Sequence, residues 1–196
     1  MEDLLEAYHR IEPAVQAGSG RPYREVMAET LRRLAGERRL PLDEAGAGAL
    51  AEALPSWRPF PEVPGALREL RRRGWRLAVL SNTDPDLVAA SLDRVGVPVD
   101  LVVTAAEAGG YKPAPGHWRR FREVTGAGPE RHVHVAASLF HDIGPAAALG
   151  VPAVWINRAG DVTNRLDGRV DLPRAADLPD LASLPEALER IRPAGR

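Results

Sequence analysis

Cysteine is absent from the 196 residues. Its absence excludes disulfides, thiolate metal sites and a cysteine nucleophile. Long apolar runs are absent as well: no stretch reaches the roughly 18 residues that a membrane-spanning helix needs. Neither sign of charge is in excess, since the formal net charge is −1. There is thus no global electrostatic case for binding nucleic acid or an anionic membrane. The first residues, Met-Glu-Asp-Leu-Leu-Glu, lack the basic and apolar regions of a secretory signal, which makes a cytoplasmic protein the expectation. Aromatic residues make up only 5 % of the chain, and lysine occurs once, as Lys112 against 25 arginines.

That single lysine is the first residue to draw attention. A guanidinium is planar, forked and bulky, whereas an ammonium is a compact point charge on a thin stem. One ammonium kept among arginines marks a position where the fork does not fit, unless codon usage alone left it there. Its setting, Gly109-Gly110-Tyr111-Lys112-Pro113, reads as a turn.

Two kinds of periodicity divide the chain. In the first third Leu4, Tyr8, Ile11 and Val15 repeat at helical spacing, as do Tyr23, Met27, Leu31 and Leu34 after Pro22. A weaker Ala-rich helix follows Asp43 and contains Gly46 and Gly48. The Pro-rich stretch 55–61 separates this part from the rest, and a boundary is expected there, between residues 1–58 and 59–196. Beyond it short apolar strands alternate with helices. Strands are expected over 75–80, 101–104, 133–136 and 153–156. Helices are expected from Pro64 to Gly74, from Asp84-Pro85 to Gly96, over 115–125, over 142–149, and after Ser183 with Glu186 as a capping box. Residues 158–180 show little periodicity. The alternation implies an α/β fold, a Rossmann-like parallel sheet with helices on both faces, preceded by a helical segment.

In such sheets ligands bind beyond the carboxyl ends of the strands. Three polar stations fall there: Ser81-Asn82-Thr83-Asp84 after the first strand, Lys112 after the second, and Ser138 with Asp142 after the third. Each station lies about one strand-plus-helix unit from the next, so one fold brings them to a shared rim. A hydroxyl, an amide, an ammonium and a carboxylate converging there suit a small anionic substrate. Singly, Ser81-Asn82-Thr83 reads equally as turn chemistry and Asp142 as a helix N-cap. The regular series favours a site.

The segments LAVLSNTD, GGYKPAPGHW and HVAASLFHDIGPAAALGVPAVWINR resemble the haloacid dehalogenase-like hydrolases, over residues 60 to 158. The Tyr-Lys-Pro loop and the Trp-Ile-Asn-Arg end are most similar to the 2-haloacid dehalogenase-like branch. The resemblance implies a Rossmann-like core with the helical first third as a cap over the site. It also implies hydrolysis of a 2-haloacid or a phosphate monoester through an aspartate nucleophile. Ser81 and Asn82 would orient the substrate, Lys112 would balance negative charge, and Asp142 would activate the reaction or hold a metal, Mg²⁺ if the chemistry is phosphatase-like.

The chain departs from the family pattern in two places. The family's nucleophile ends an N-terminal apolar strand, and no such segment stands here. Phosphatase members carry an acid just before the serine at 138, where this chain has Ala137. The polypeptide by itself is therefore expected to be inactive, the alternative being a non-catalytic anion-binding or regulatory relative. The missing strand belongs between the strands ending at Ser81 and Ala136, and its loss opens a gap of roughly 9.6 Å. Three outcomes are open: the flanking strands close on each other, another segment fills the slot, or a start read too late has removed the strand. The last is the expectation. A strand received from another chain would make a homo-oligomer.

Other features carry weaker expectations. His132, His134 and His141 could hold zinc, but a solvated strand edge is the simpler reading. Arg71-Arg72-Arg73 suits the C-terminal turn of a helix. Trp57 and Phe60 suit either the cleft between cap and core or core packing, and His117 and Trp118 suit substrate access or helix packing.

Overall fold

The computed structural model describes residues 3–18, 20–158, 160 and 171–191. Three helices come first: α1 (Leu4–Gln16), α2 (Tyr23–Arg38) and α3 (Glu44–Ala53). α1 starts on a capping box between Asp3 and Glu6, which satisfies two otherwise orphaned backbone donors. Its apolar stripe, Ala7, Ile11 and Val15, packs on Val26 and Leu34 of α2. α3 in turn packs on α2.

The remaining elements run α4 (Val63–Arg72), β1 (Ala78–Ser81), α5 (Pro85–Val95), β2 (Leu101–Thr104), α6 (Ala105–Ala108), α7 (Gly116–Thr125), β3 (His134–Ala136), α8 (Gly144–Ala148), β4 (Ala153–Ile156), β5 (Ala176–Leu178) and α9 (Leu184–Ile191). All strand pairings among the described residues are parallel. β4 shows why its apolar run is unbroken. Ala153 and Trp155 face Leu139, Ile143 and Ala146 on one side, while Val154 and Ile156 face Leu70, Leu184 and Leu188 on the other. Helices thus cover both faces of this sheet, the arrangement expected of a parallel α/β core.

The strands form two sheets among the described residues, β1-β2 and β3-β4-β5. Among the described residues β1 and β3 neither pair with each other nor receive another strand between them. The flanking strands therefore do not close the slot. Their burial agrees: β4 is buried throughout, whereas β3 is half-buried and β1 runs from exposed Ala78 to half-buried Ser81. Each keeps a row of backbone groups without a strand partner. The sequence reading missed β5 and the single turn of α6, both too short to show a period.

The first three helices meet the sheet region at a few residues. Met27 of α2 and Leu54 pack on Leu87 of α5, and Tyr111 packs on the α1–α2 cluster. Burying a leucine or methionine is worth about 1.5–3 kcal/mol, whereas an exposed ion pair contributes under about 1 kcal/mol. Apolar burial therefore contributes substantially to this junction.

Candidate functional site

β1 and β2 end level, with Ser81 opposite Thr104. The chain leaves β2 directly into α6, where Glu107 accepts from Thr104 N (2.9 Å) and Oγ1 (3.2 Å). Gly109, at φ 73°, ends that turn in the left-handed region that glycine tolerates best. Three residues later Lys112 turns inward, and its peptide bond to Pro113 is cis.

Lys112 is 7 % exposed. Its Nζ donates to Leu80 O at 2.8 Å and to Asp142 Oδ1 at 2.6 Å. Asn82 grips the lysine's main chain from the other side. Lys112 N donates to Asn82 Oδ1 (2.7 Å), and Asn82 Nδ2 donates to Lys112 O (3.2 Å). Ser81 Oγ accepts from Thr83 N at 3.1 Å, which shapes the turn after β1. The structure thus joins Asn82, Lys112 and Asp142 from three successive strand-to-helix connections, with Ser81 next to Asn82 at the end of β1, its Oγ turned to Thr83 N.

Asp142 does not cap its helix. Ser138 does, its Oγ accepting from His141 N at 3.0 Å. Asp142 instead lies in the wide helical turn Leu139–Ile143. Its Oδ1 also meets His134 Nε2 at 3.0 Å. Burial pushes the Asp142 carboxyl up, but the His134 hydrogen bond and the Lys112 ammonium outweigh it and hold the group below the usual carboxylate range. The acid is therefore an anion, and both of its described bonds fall on one oxygen.

Two histidines take parts that the sequence left open, His134 between a solvated strand edge and a zinc ligand, His117 between substrate access and helix packing. His134 is half-buried, not a solvated edge, and its ring lies 5.2 Å from that of Trp118. His117 is fully buried, and its Nε2 meets Ser81 O at 3.0 Å. A carbonyl oxygen only accepts, so Nε2 carries the proton. Burial keeps the ring neutral by lowering its pKa, and His117 therefore braces the Ser81 turn. Their signal was position: His134 stands on the strand that leads to Asp142, and His117 lies in the first turn of the helix after Lys112. Neither shows its long-range partner in sequence.

Other expectations resolve plainly. His132 turns away to Gly128 O (3.0 Å) and Phe121. No group of three His, Cys, Asp or Glu able to hold a metal occurs among the described residues. Asp142 is a poor magnesium ligand, since Lys112 and His134 already occupy Oδ1 and Ala137 supplies no second carboxylate. Trp57 and Phe60 are exposed; Arg158 lies 3.7 Å over the Phe60 ring and pairs with Glu62. Arg71 pairs with Asp100, Arg72 with Glu69, and Arg73 with Glu69 and Glu186. Glu186 thus pairs outward with Arg73. The described helices include none long and apolar enough to cross a membrane.

Comparison with known proteins decides the family. The profile of the haloacid dehalogenase-like hydrolases matches residues 2–150. The chain belongs to that family. Its relatives include both haloacid dehalogenases and phosphatases. It is 34 % identical over 140 residues to haloacetate dehalogenase H-2 of Moraxella sp. strain B, covering 70 % of this chain and 62 % of that one. It is 33 % identical over 125 residues to an (S)-2-haloacid dehalogenase of Pseudomonas sp. strain YL, covering 63 % and 53 %. The chain therefore spans little more than half the length of these curated relatives. A phosphoserine phosphatase of Thermus thermophilus is 37 % identical over 101 residues, covering 50 % of this chain and 41 % of that one. In fold, the L-2-haloacid dehalogenase of Xanthobacter autotrophicus superposes with a TM-score of 0.79 at 22 % identity, over 95 % of this chain and 85 % of that one.

Proposed function

We propose that this haloacid dehalogenase-like hydrolase binds a small anion, a 2-haloacid in preference to a phosphate monoester, at the cluster of Ser81, Asn82, Lys112 and Asp142. Residues 1–58 act as the helical cap and residues 59–196 as the Rossmann-like core. One observation carries the reading: a buried ammonium, held by Asp142 Oδ1 and Leu80 O, stands at the carboxyl ends of β1 and β2 beside a serine–asparagine turn. Asn82 fixes the lysine loop, and Lys112 offsets the charge of the substrate and of an attacking carboxylate. Ser81 Oγ orients the substrate anion. Asp142 anchors Lys112.

In the expected reaction a carboxylate oxygen attacks the carbon bearing the halogen, and halide leaves with the bonding pair. Water then hydrolyses the ester, freeing a 2-hydroxy acid and the carboxylate. At this cluster the carboxylate among the described residues is Asp142, and its engagement by Lys112 and His134 unsuits it for attack. The 196-residue polypeptide by itself is therefore proposed to bind anions without turning them over. The preference for haloacids follows from Ala137 and from the engaged Oδ1, which leave too few oxygens for a divalent cation.

The test incubates the polypeptide with 2-chloropropionate and with p-nitrophenyl phosphate, following chloride and phosphate release, and measures 2-chloropropionate binding by calorimetry. Binding without release, abolished in Lys112→Ala, is the expected result. Release that vanishes in Lys112→Ala would overturn the inactivity, and absence of binding would overturn the anion site.

A further inference from the structure

Asp84 stands at the N-cap position of α5 with extended backbone, φ −65° and ψ 150°, yet its side chain makes no bond to its own helix. It serves α2 instead. Its Oδ1 accepts from Tyr23 N at 2.7 Å, and its Oδ2 accepts from Arg24 N and Arg24 Nε, each at 3.0 Å. α2 needs this help, because its own N-cap residue is Pro22, which offers no side-chain acceptor. Its first-turn N–H groups are thus satisfied by a carboxylate some sixty residues further along the chain. Arg24 extends the contact through Nη2 to the Asp86 carboxylate at 2.6 Å.

A second strut rises from the neighbouring loop. Tyr111, adjacent to Lys112, donates its hydroxyl to Arg21 O at 2.5 Å, and its ring lies 6.3 Å from that of Tyr23. Residues 21–24 therefore stand on two feet. One foot is Asp84, two residues beyond Asn82; the other is Tyr111, one residue before Lys112. Those two loops are themselves joined by the paired hydrogen bonds between Asn82 and the Lys112 main chain. Leu87, one turn into α5, adds the apolar contact to Met27.

We infer that Asp84 and Tyr111 are positioning residues that lock the start of α2 onto the Ser81–Asn82 and Lys112 loops, so that seating the first three helices and shaping the anion site are one event. The inference rests on the reading of that cluster as an anion site beneath a cap. Asp84 acts through Asn82, and Tyr111 acts through the lysine loop; neither touches substrate. The mechanical link is local, since a helix end released from Asp84 frees the turn that presents Asn82.

Amide hydrogen exchange on the 196-residue protein tests the link without a ligand. In Asp84→Ala the amides of Tyr23 and Arg24 should exchange at least about 10-fold faster, and so should that of Lys112, which has no direct contact with Asp84. The amide of Val154 in the fully buried strand β4 should be unchanged. Asp84→Asn, which retains an acceptor for the helix N-terminus, should restore most of the protection. Tyr111→Phe keeps the ring and loses only the hydroxyl, and should accelerate Lys112 without lowering the midpoint of global unfolding. An unchanged Lys112 amide in both Asp84→Ala and Tyr111→Phe would overturn the inference. Affinity for 2-chloropropionate should fall about 5-fold or more in either variant, and undiminished affinity would equally overturn it. If the wild-type protein binds no 2-chloropropionate, the anion-site reading fails while the exchange pattern still decides the lock. Should Asp84→Ala not fold, Arg24→Ala removes the guanidinium contacts alone and should accelerate the same amides to a smaller extent.

Discussion

At the scale of single residues, the lysine that stood alone among arginines is a buried ion-pair partner. Taking two charges out of water costs several kcal/mol each, and their attraction repays this only with good geometry and further hydrogen bonds. Lys112 meets that condition through Leu80 O, and Asp142 through His134. The compact ammonium explains the residue type: a forked guanidinium would have to fit between a strand carbonyl and a carboxylate already 2.6 Å from the donor. Lys112→Arg should therefore destabilise by about 1–3 kcal/mol through overpacking. Asp142→Asn leaves an ammonium buried without its counter-charge and should cost about 3–5 kcal/mol. The double variant Lys112→Met/Asp142→Leu removes both charges and should recover much of the Asp142→Asn loss in urea denaturation. A double variant as unstable as the sum of its singles would show that packing, not charge, governs this pair. The lysine was legible in the sequence through its rarity. His134 was not, because a histidine on a strand carries the same local signature whether it faces solvent or a carboxylate eight residues away.

At the scale of elements, local rules placed most boundaries. The Gly96 and Gly126 stops and the Pro85 start lie where the helices end and begin, because each acts on the backbone of its own turn. β2 and β4 match their apolar runs, while β1 and β3 shorten from the amino end. Asp84 shows where local rules fail: the sequence marks a cap, and the structure assigns that cap to a different helix. A tighter constraint lies between α6 and α7. Gly116 opens α7 so close to α6 that a Cβ there would come within 2.3 Å of Ala108 O. That oxygen is backbone and cannot turn aside. Gly116→Ala should thus destabilise by about 1–3 kcal/mol despite alanine's better helix propensity, read as a lower urea midpoint with an unchanged slope. Because α6 and α7 flank the lysine loop, the same substitution should weaken 2-chloropropionate binding.

At the scale of the whole molecule, acid should weaken the fold in two stages. Burial lowers the pKa of His117, His132 and His141 below the ordinary value of 6.5. Below that value the unfolded chain takes up protons that the folded chain refuses, so stability falls as pH falls through this range. Asp142 follows the same sign in a lower window. Its folded carboxyl lies below 3.8, so its contribution is complete above that value and is lost as pH drops through the folded pKa. Half-buried Glu69, which Arg72 and Arg73 hold at about 2, adds to the second stage only weakly because solvent still screens it. Urea midpoints measured from pH 8 to pH 3 should fall first below about 6.5 and again below about 4. Replacing His117 with glutamine should diminish the first stage and leave the second. By itself the sequence determined the α/β alternation, the order of the three polar stations and the family, because each is written in residues close together along the chain. Tertiary structure alone decided that the strands form two sheets, that Asp84 serves α2, and that His117 and His134 brace the site. Those outcomes depend on hydrogen bonds between segments as far as sixty residues apart, and such bonds impose no period or spacing on the sequence at either end.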